Sequence, residues 1–117
     1  MGEGTIIKNN LAEPLTSISD SGSSPAISAF NERYLFVTGG KSGLTNVEYY
    51  NIASNQWFKA PEMNEGRYDH SSCCLNEFLY VFGGKNPRKN TISSIDASQV
   101  TSSSNSGAQW VDIQVAG

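Results

Sequence analysis

The stretch Tyr34-Leu-Phe-Val-Thr-Gly-Gly-Lys41 returns further along the chain as Phe78-Leu-Tyr-Val-Phe-Gly-Gly-Lys85. The two glycine pairs begin at Gly39 and Gly83 and are therefore 44 residues apart. A second apolar run precedes each copy, at residues 27–30 and 71–75, and an Asn-Glu turn follows it. Two short apolar runs joined by polar turn residues predict a β-hairpin. Each copy therefore begins with a predicted hairpin.

Two more strands are predicted after each glycine pair. They cover residues 47–51 and 56–59 in the first copy, and residues 92–96 and 109–113 in the second. Four strands of about five residues, repeated with a period in the 40s, are typical of propeller blades that stack side by side. The second copy also contains a Ser/Asn/Thr-rich insertion at residues 97–108. We expect this insertion to be an exposed, mobile loop.

The spacing of a glycine pair, a tyrosine and a tryptophan resembles that of the kelch-repeat family. The matching residues are Gly39, Gly40, Tyr50 and Trp57 in the first copy, and Gly83, Gly84 and Trp110 in the second, where Ile95 takes the tyrosine position. The resemblance implies an all-β fold of kelch-type β-propeller blades, each with four antiparallel strands. About two blades are expected, which make an incomplete ring because propellers close with about four to eight.

The repeats divide the chain into three parts. Residues 1–24 are predicted to be an N-terminal extension, or a donated strand with a flexible connection, before the first repeat at 25–66 and the second at 67–117. Since two blades do not close a ring, we expect the chain to be a fragment of a longer protein, a truncated form, or a unit completed by assembly.

The motif residues have a structural explanation. Glycine tolerates positive φ and lets another backbone approach closely, while Tyr50 and Trp57 are expected to bury their rings against the next sheet. Arg67 is expected to bridge carbonyl groups or a carboxylate such as Glu48 or Asp69. The alternative for Arg67 is a place on the rim, where it would bind an acidic ligand.

Charge and cysteine content exclude several classes of function. The net charge of −3 and the lack of a basic stripe argue against nucleic acid and anionic membranes as partners. No apolar run approaches the roughly 18 residues needed to span a bilayer. Cys73 and Cys74 are adjacent on a predicted strand and point to opposite faces, so a disulfide between them is unfavourable. A cytoplasmic location is expected.

No catalytic or cofactor site is predicted. The segment after Gly39 resembles a phosphate loop, but Leu35 stands where that motif needs its first glycine. His70 is the only histidine, and its neighbours in sequence, Asp69 and Ser71, point to alternate faces of a strand and cannot complete a catalytic triad. One histidine and two cysteines also fall short of a zinc or copper site.

The expected function is therefore a non-enzymatic protein–protein interaction module, a scaffold or an adaptor. The loops at 41–46, 85–90 and 97–108 are expected to line one rim. The candidate partner-binding residues there are Arg67, His70, Lys41, Lys85 and Arg88. The resemblance suggests a cytoskeletal or ubiquitin-ligase-related partner. The alternative is a fragment of a kelch-like propeller enzyme that acts on a sugar or other small molecule, with its site on blades not present here.

Overall fold

A computed structural model describes residues 24–41, 43–85, 91–102 and 107–114 of the chain. These residues form two four-stranded antiparallel sheets, each with its strands in chain order. The first sheet contains β1 (Ala26–Phe30), β2 (Tyr34–Thr38), β3 (Val47–Asn51) and β4 (Gln56–Lys59). The second contains β5 (Ser71–Leu75), β6 (Phe78–Phe82), β7 (Thr91–Asp96) and β8 (Val111–Gln114), and helix α1 (Ala97–Thr101) follows β7.

This architecture confirms the predicted fold class of two four-stranded blades, and the described residues form no closed ring. Strand register also confirms the match between repeats, because Leu35 pairs with Tyr50 and Leu79 pairs with Ile95. Ile95 therefore occupies the tyrosine position of the second blade. Of the predicted extension at residues 1–24, residues 1–23 lie outside the described part of the chain, and the carbonyl oxygen of Ser24 accepts a hydrogen bond of 3.2 Å from the Asp69 amide.

The main hydrophobic core lies between the two sheets. Phe36 and Tyr49 of the first sheet belong to one buried cluster with Leu79, Val81 and Ile95 of the second. Phe36, Leu79 and Val81 are completely buried. Full burial of such side chains stabilises a fold by about 1.5–3 kcal/mol each. The two blades therefore share one core, and neither has a separate core of that size.

Tyr50 and Trp57 lie on the other face of the first sheet, because side chains alternate along β3 and Tyr49 faces the second sheet. Their rings pack on each other with centroids 5.2 Å apart. The expectation that these rings bury themselves against the next sheet is therefore wrong. The equivalent Trp110 packs in the shared core and faces the first sheet. The tryptophan of the second blade therefore contacts the blade that precedes it in the sequence.

The insertion in the second repeat is more ordered than its composition suggests. Its first residues form α1, in which Ala97 and Val100 are completely buried. Asp96 caps the helix, since its carboxylate accepts a hydrogen bond from the Gln99 amide at 3.1 Å. The prediction that the insertion is a mobile loop is therefore wrong for residues 97–101, which form α1. In the described part of the chain, no helix is long and apolar enough to cross a bilayer.

Strand direction separates the loops into two rims. The crossover rim contains the loops at 39–46 and 83–85 and the crossover at 60–70, which joins the sheets. The hairpin rim contains the turns at 31–33, 52–55 and 76–77 together with α1. Because successive antiparallel strands run in opposite directions, the insertion lies on the hairpin rim. The expectation that it lines the same rim as residues 41–46 is wrong.

One face of the second sheet remains apolar and uncovered in the described structure. It is the face turned away from the first sheet, and the exposed residues on it are Leu75, Phe78, Phe82, Val111 and Ile113. Phe78 follows Tyr34 by 44 residues, and Tyr34 packs against the shared core. The exposed face therefore corresponds to the face of the first sheet that is buried between the blades.

Candidate protein-binding site

Residues 67–70 of the crossover pass between the two glycine pairs, and backbone hydrogen bonds join them to both sheets. The Gly40 amide donates to the carbonyl oxygen of Arg67 at 2.8 Å, and the Lys85 amide donates to that of Tyr68 at 3.0 Å. A further short bridge pairs Tyr68 with Lys85. Since buried backbone groups need such partners, these bonds fix the crossover against both sheets.

Two of the motif glycines make this close approach possible. A Cβ on Gly39, which has φ of +65°, would lie 2.3 Å from the Arg67 carbonyl oxygen. A Cβ on Gly84, which has φ of +106°, would lie 2.9 Å from the Cβ of His70. Gly83 also has positive φ, but no heavy atom lies within 4 Å of the place its Cβ would occupy. Glycine is therefore required at Gly83 for backbone conformation alone.

Arg67 is fully buried and makes a network inside the second blade. One terminal nitrogen donates to the carbonyl oxygens of Gly83, at 2.8 Å, and Thr91, at 3.1 Å. The other donates to the hydroxyls of Thr91, at 2.6 Å, and Ser93, at 3.0 Å. It also lies 3.6 Å from the Glu65 carboxylate. The fixed fork of guanidinium donors suits such a set of acceptors.

Burial lowers the pKa of Arg67, while the carboxylates of Glu65 and Asp112 oppose that shift. The prediction that Arg67 lies on a partner-binding rim is therefore corrected, because none of its surface reaches solvent. The prediction of a bridge to carbonyl groups and a carboxylate agrees with the contacts, but the carboxylate belongs to Glu65 and not to Glu48 or Asp69.

His70 is half-buried beside the crossover. Its Nε2 forms a 2.8 Å hydrogen bond with the Thr38 hydroxyl. Burial, together with the nearby charge of Arg67, lowers the pKa of His70 to about 4. The imidazole is consequently neutral at pH 7 and links the two sheets, since Thr38 ends β2 and His70 precedes β5. It contributes no charge to the rim.

Four exposed or half-exposed side chains of the crossover rim lie next to one another, and we call them the rim cluster: Lys41, Tyr68, Asp69 and Lys85. The ammonium group of Lys41 lies 5.4 Å from the centre of the Tyr68 ring. The Lys85 ammonium lies 3.4 Å from the Asp69 carboxylate, and both side chains are exposed. Two predicted residues, Lys41 and Lys85, are thus brought together around Tyr68, while Arg88 lies outside the described residues.

The rim cluster offers a distinct chemistry. The Lys41 ammonium group stands beside an aromatic ring, and the exposed Lys85 ammonium stands beside Asp69. Cations next to an aromatic ring match a partner surface with carboxylates and an apolar contact. The pKa of Asp69 is lowered, chiefly by a hydrogen bond from Ser24 and then by Lys85. Asp69 therefore remains ionised and holds Lys85 in place. Tyr68 and Asp69 were not predicted as site residues, although they stand directly between Arg67 and His70 in the sequence.

Other reactive groups do not converge on this rim. Cys73 is exposed and Cys74 is half-buried, and both thiols are free. Burial, with a smaller effect of Cys73, raises the pKa of Cys74 to about 11. Within the described ranges, no three His, Cys, Asp or Glu side chains come together as a metal site.

Comparison with known proteins agrees with the repeat pattern. Residues 28–64 match the profile of the Kelch motif. Among curated proteins, the chain is similar to the tRNA wybutosine-synthesizing protein 4 of Rattus norvegicus, with 29% identity over an alignment of 92 residues and a coverage of 73% of this chain. It is also similar to the Kelch repeat and BTB domain-containing protein 2 of Cowpox virus (strain GRI-90 / Grishak), with 29% identity over 80 residues, or 61% of this chain.

Among solved structures, the chain is similar to a fungal alcohol oxidase of the AA5 family in complex with copper. The TM-score is 0.59 at 20% identity over 74% of this chain, so the likeness concerns the fold alone. The matched regions cover 13% and 14% of the two curated relatives and 18% of the oxidase. The similarity therefore extends to a small part of each of these longer proteins.

Proposed function

We propose that this chain, which belongs to the kelch-repeat proteins, is a non-enzymatic protein-interaction module that contacts its partner through the crossover rim. The observation that carries this proposal is the rim cluster, in which the Lys41 ammonium lies against the Tyr68 ring and the backbone of Lys85 pairs with that of Tyr68. The kelch repeats and the Kelch/BTB relative support a role in protein interaction. Binding residues placed on loops of a rigid scaffold are a common arrangement in proteins.

The crossover gives the rim cluster its rigidity. Tyr68 belongs to a segment that is hydrogen-bonded to both sheets, through Gly40 and Lys85. A backbone that is already ordered loses less conformational entropy on binding. The crossover is therefore suited to a preformed interface, and the ammonium groups of Lys41 and Lys85 favour an acidic surface on the partner.

The finer features of the function rest on the family resemblance. We propose that the module serves as a scaffold or adaptor, that it acts in the cytoplasm, and that its partner is cytoskeletal or related to ubiquitin ligases. The relative from Cowpox virus carries both kelch repeats and a BTB domain in its name. No contact among the described residues favours the enzymatic alternative, and we do not propose it.

Charge reversal at single lysines tests this proposal. The tagged chain and its Lys41→Glu, Lys85→Glu and Lys59→Glu variants are used to recover proteins from cell extract, and the recovered proteins are quantified by mass spectrometry. Lys59 is exposed at the end of β4, the edge strand opposite β1 in the first sheet, and is the matched control. We expect one protein whose recovery falls at least about threefold with each rim variant, which corresponds to about 0.7 kcal/mol, within the usual range for exposed ion pairs.

The control variant should recover this protein as well as the unmodified chain does. Raising the salt concentration should weaken its recovery, because exposed charge pairs are screened. Recovery that depends on Lys59 and not on Lys41 or Lys85 would overturn the assignment of the crossover rim. Circular dichroism of each variant verifies that the sheets are intact.

A further inference from the structure

A hollow of about 600 Å³ lies on the hairpin rim, opposite the crossover rim. It is enclosed by the first hairpin turn of each blade and by α1. Its lining includes Asn31, Arg33, Tyr34, Asn76, Glu77 and Ser98. Because the first repeat has only a short turn where α1 stands, the insertion of the second repeat supplies one wall of this hollow.

A second hollow of about 280 Å³ adjoins the first. Arg33 and Tyr34 line both, while Ile52 and Ala53 of the β3–β4 turn line only the smaller one. The two hollows therefore lie side by side and meet at Arg33 and Tyr34, and we call the pair the groove. A ligand that occupies both hollows must pass Arg33 and Tyr34, which suits an extended chain better than a compact small molecule.

Charges alternate along the groove. Glu77 lines only the larger hollow, Glu32 lines only the smaller one, and Arg33 lies between them and lines both. The ion pairs between described residues do not include Arg33. Its guanidinium is exposed, and its five donors suit a carboxylate that binds through both oxygens. The order of charges along the groove is thus negative, positive, negative.

We propose that this groove binds an extended segment of a partner protein in which basic residues stand two positions before and two positions after an acidic residue. In an extended chain, side chains two positions apart point the same way and are about 6.6–6.8 Å apart. The acidic side chain binds Arg33, and the two basic side chains bind Glu77 and Glu32. The ring of Tyr34 and the amides of Asn31 and Asn76 contact the segment between these charges.

This inference concerns a second surface and stands apart from the proposal for the crossover rim. Its test uses fluorescence anisotropy with a labelled probe, Gly-Lys-Ala-Asp-Ala-Lys-Gly, and a rearranged probe of the same composition, Gly-Lys-Lys-Asp-Ala-Ala-Gly. We expect the first probe to bind about 1.5 to five times more tightly, because the rearranged probe loses one of the three charge pairs and an exposed pair contributes about 0.2–1 kcal/mol.

Two charge-reversal variants complete the test. Arg33→Glu should weaken the first probe about tenfold and remove the difference between the probes. Lys59→Glu, an equal change of charge at an exposed lysine of β4, should leave both affinities within about twofold. Equal binding of the two probes, no binding of either, or an equal effect of the two variants would overturn the inference. Because Arg33 and Lys59 lie outside the rim cluster, this test and the test of the crossover rim fail independently.

Discussion

The indole Nε1 of Trp110 donates a hydrogen bond of 2.8 Å to the carbonyl oxygen of Pro61. Trp110 directly precedes the last strand of the second sheet, while Pro61 lies where the chain leaves the first sheet. Asn64 reinforces this connection by donating to the carbonyl oxygen of Trp110 at 3.4 Å. The two blades are therefore joined at their outer strands as well as through the crossover beside the glycine pairs.

Replacing Trp110 tests this connection. Trp110→Phe keeps a ring in the core but removes the donor to Pro61, so we expect a loss of about 1–3 kcal/mol in the free energy of unfolding. Trp110→Ala should cost about 3–5 kcal/mol. Val111→Ala is the control, because Val111 is 58% exposed and should change stability by about 0.5 kcal/mol or less. Urea denaturation measures all three, and an unchanged Trp110→Phe protein would contradict the connection.

The glycine pairs provide a matched comparison between the two repeats. Gly39→Ala and Gly83→Ala place the same Cβ at equivalent positions, both with positive φ. Only the first Cβ meets the Arg67 carbonyl oxygen, at 2.3 Å. Gly83→Ala should therefore cost about 1–2 kcal/mol, the usual cost of left-handed backbone, and Gly39→Ala clearly more. Thermal and urea unfolding give the two values, and equal losses would show that the crossover does not approach Gly39.

Arg67 should be among the residues whose replacement is most destabilising. Arg67→Met keeps much of the side-chain volume but removes the donors to Gly83, Thr91 and Ser93, and it leaves Glu65 without its cation. Breaking a buried charge network in this way costs about 3–5 kcal/mol. Lys41→Met, which removes an exposed charge, is the control and should cost about 0.5 kcal/mol or less. Equal unfolding midpoints of the two variants in urea would contradict the buried position of Arg67.

His70 predicts a specific dependence of stability on pH. Its pKa of about 4 in the folded chain is below the value of about 6.5 expected when unfolded. Between pH 4 and 6.5 the unfolded chain therefore binds more protons, and the free energy of unfolding rises with pH. This stability is fully present above pH 6.5 and is lost as pH falls towards 4.

The variant His70→Gln should flatten that rise when urea midpoints are compared between pH 5 and 6.5. Asp69 and Asp96 also have lowered pKa values, but a depressed aspartate acts mainly near and below its unfolded value of about 3.9, outside this window. The window therefore isolates the histidine. An unchanged slope in His70→Gln would contradict the lowered pKa of His70.

The strands were predictable because their signals are local. The β3 and β4 ranges begin and end where the sequence places them, since alternation and turn residues act over a few positions. The burial of Val100 was not predictable, because it depends on packing with the distant cluster that includes Tyr49. The sequence therefore predicted a loop for the insertion, although the insertion begins with helix α1.

The surroundings of Arg67 were only partly predictable, for a similar reason. Its acceptors come from the crossover, from the end of β6 and from β7, so no single stretch of sequence reveals them. The side of the sheet that Trp57 faces was likewise not predictable, since a four-residue strand specifies alternation but not which face meets the neighbouring blade.

Binding of a partner protein at the crossover rim is the central claim, and site-specific photocrosslinking tests it most directly. Benzoylphenylalanine replaces Tyr68 in one variant and Gln56, an exposed residue of β4, in the other. After irradiation in cell extract, we predict a covalent adduct with one protein from position 68 and none from position 56. An adduct from position 56 alone, or no adduct from either, would contradict the claim.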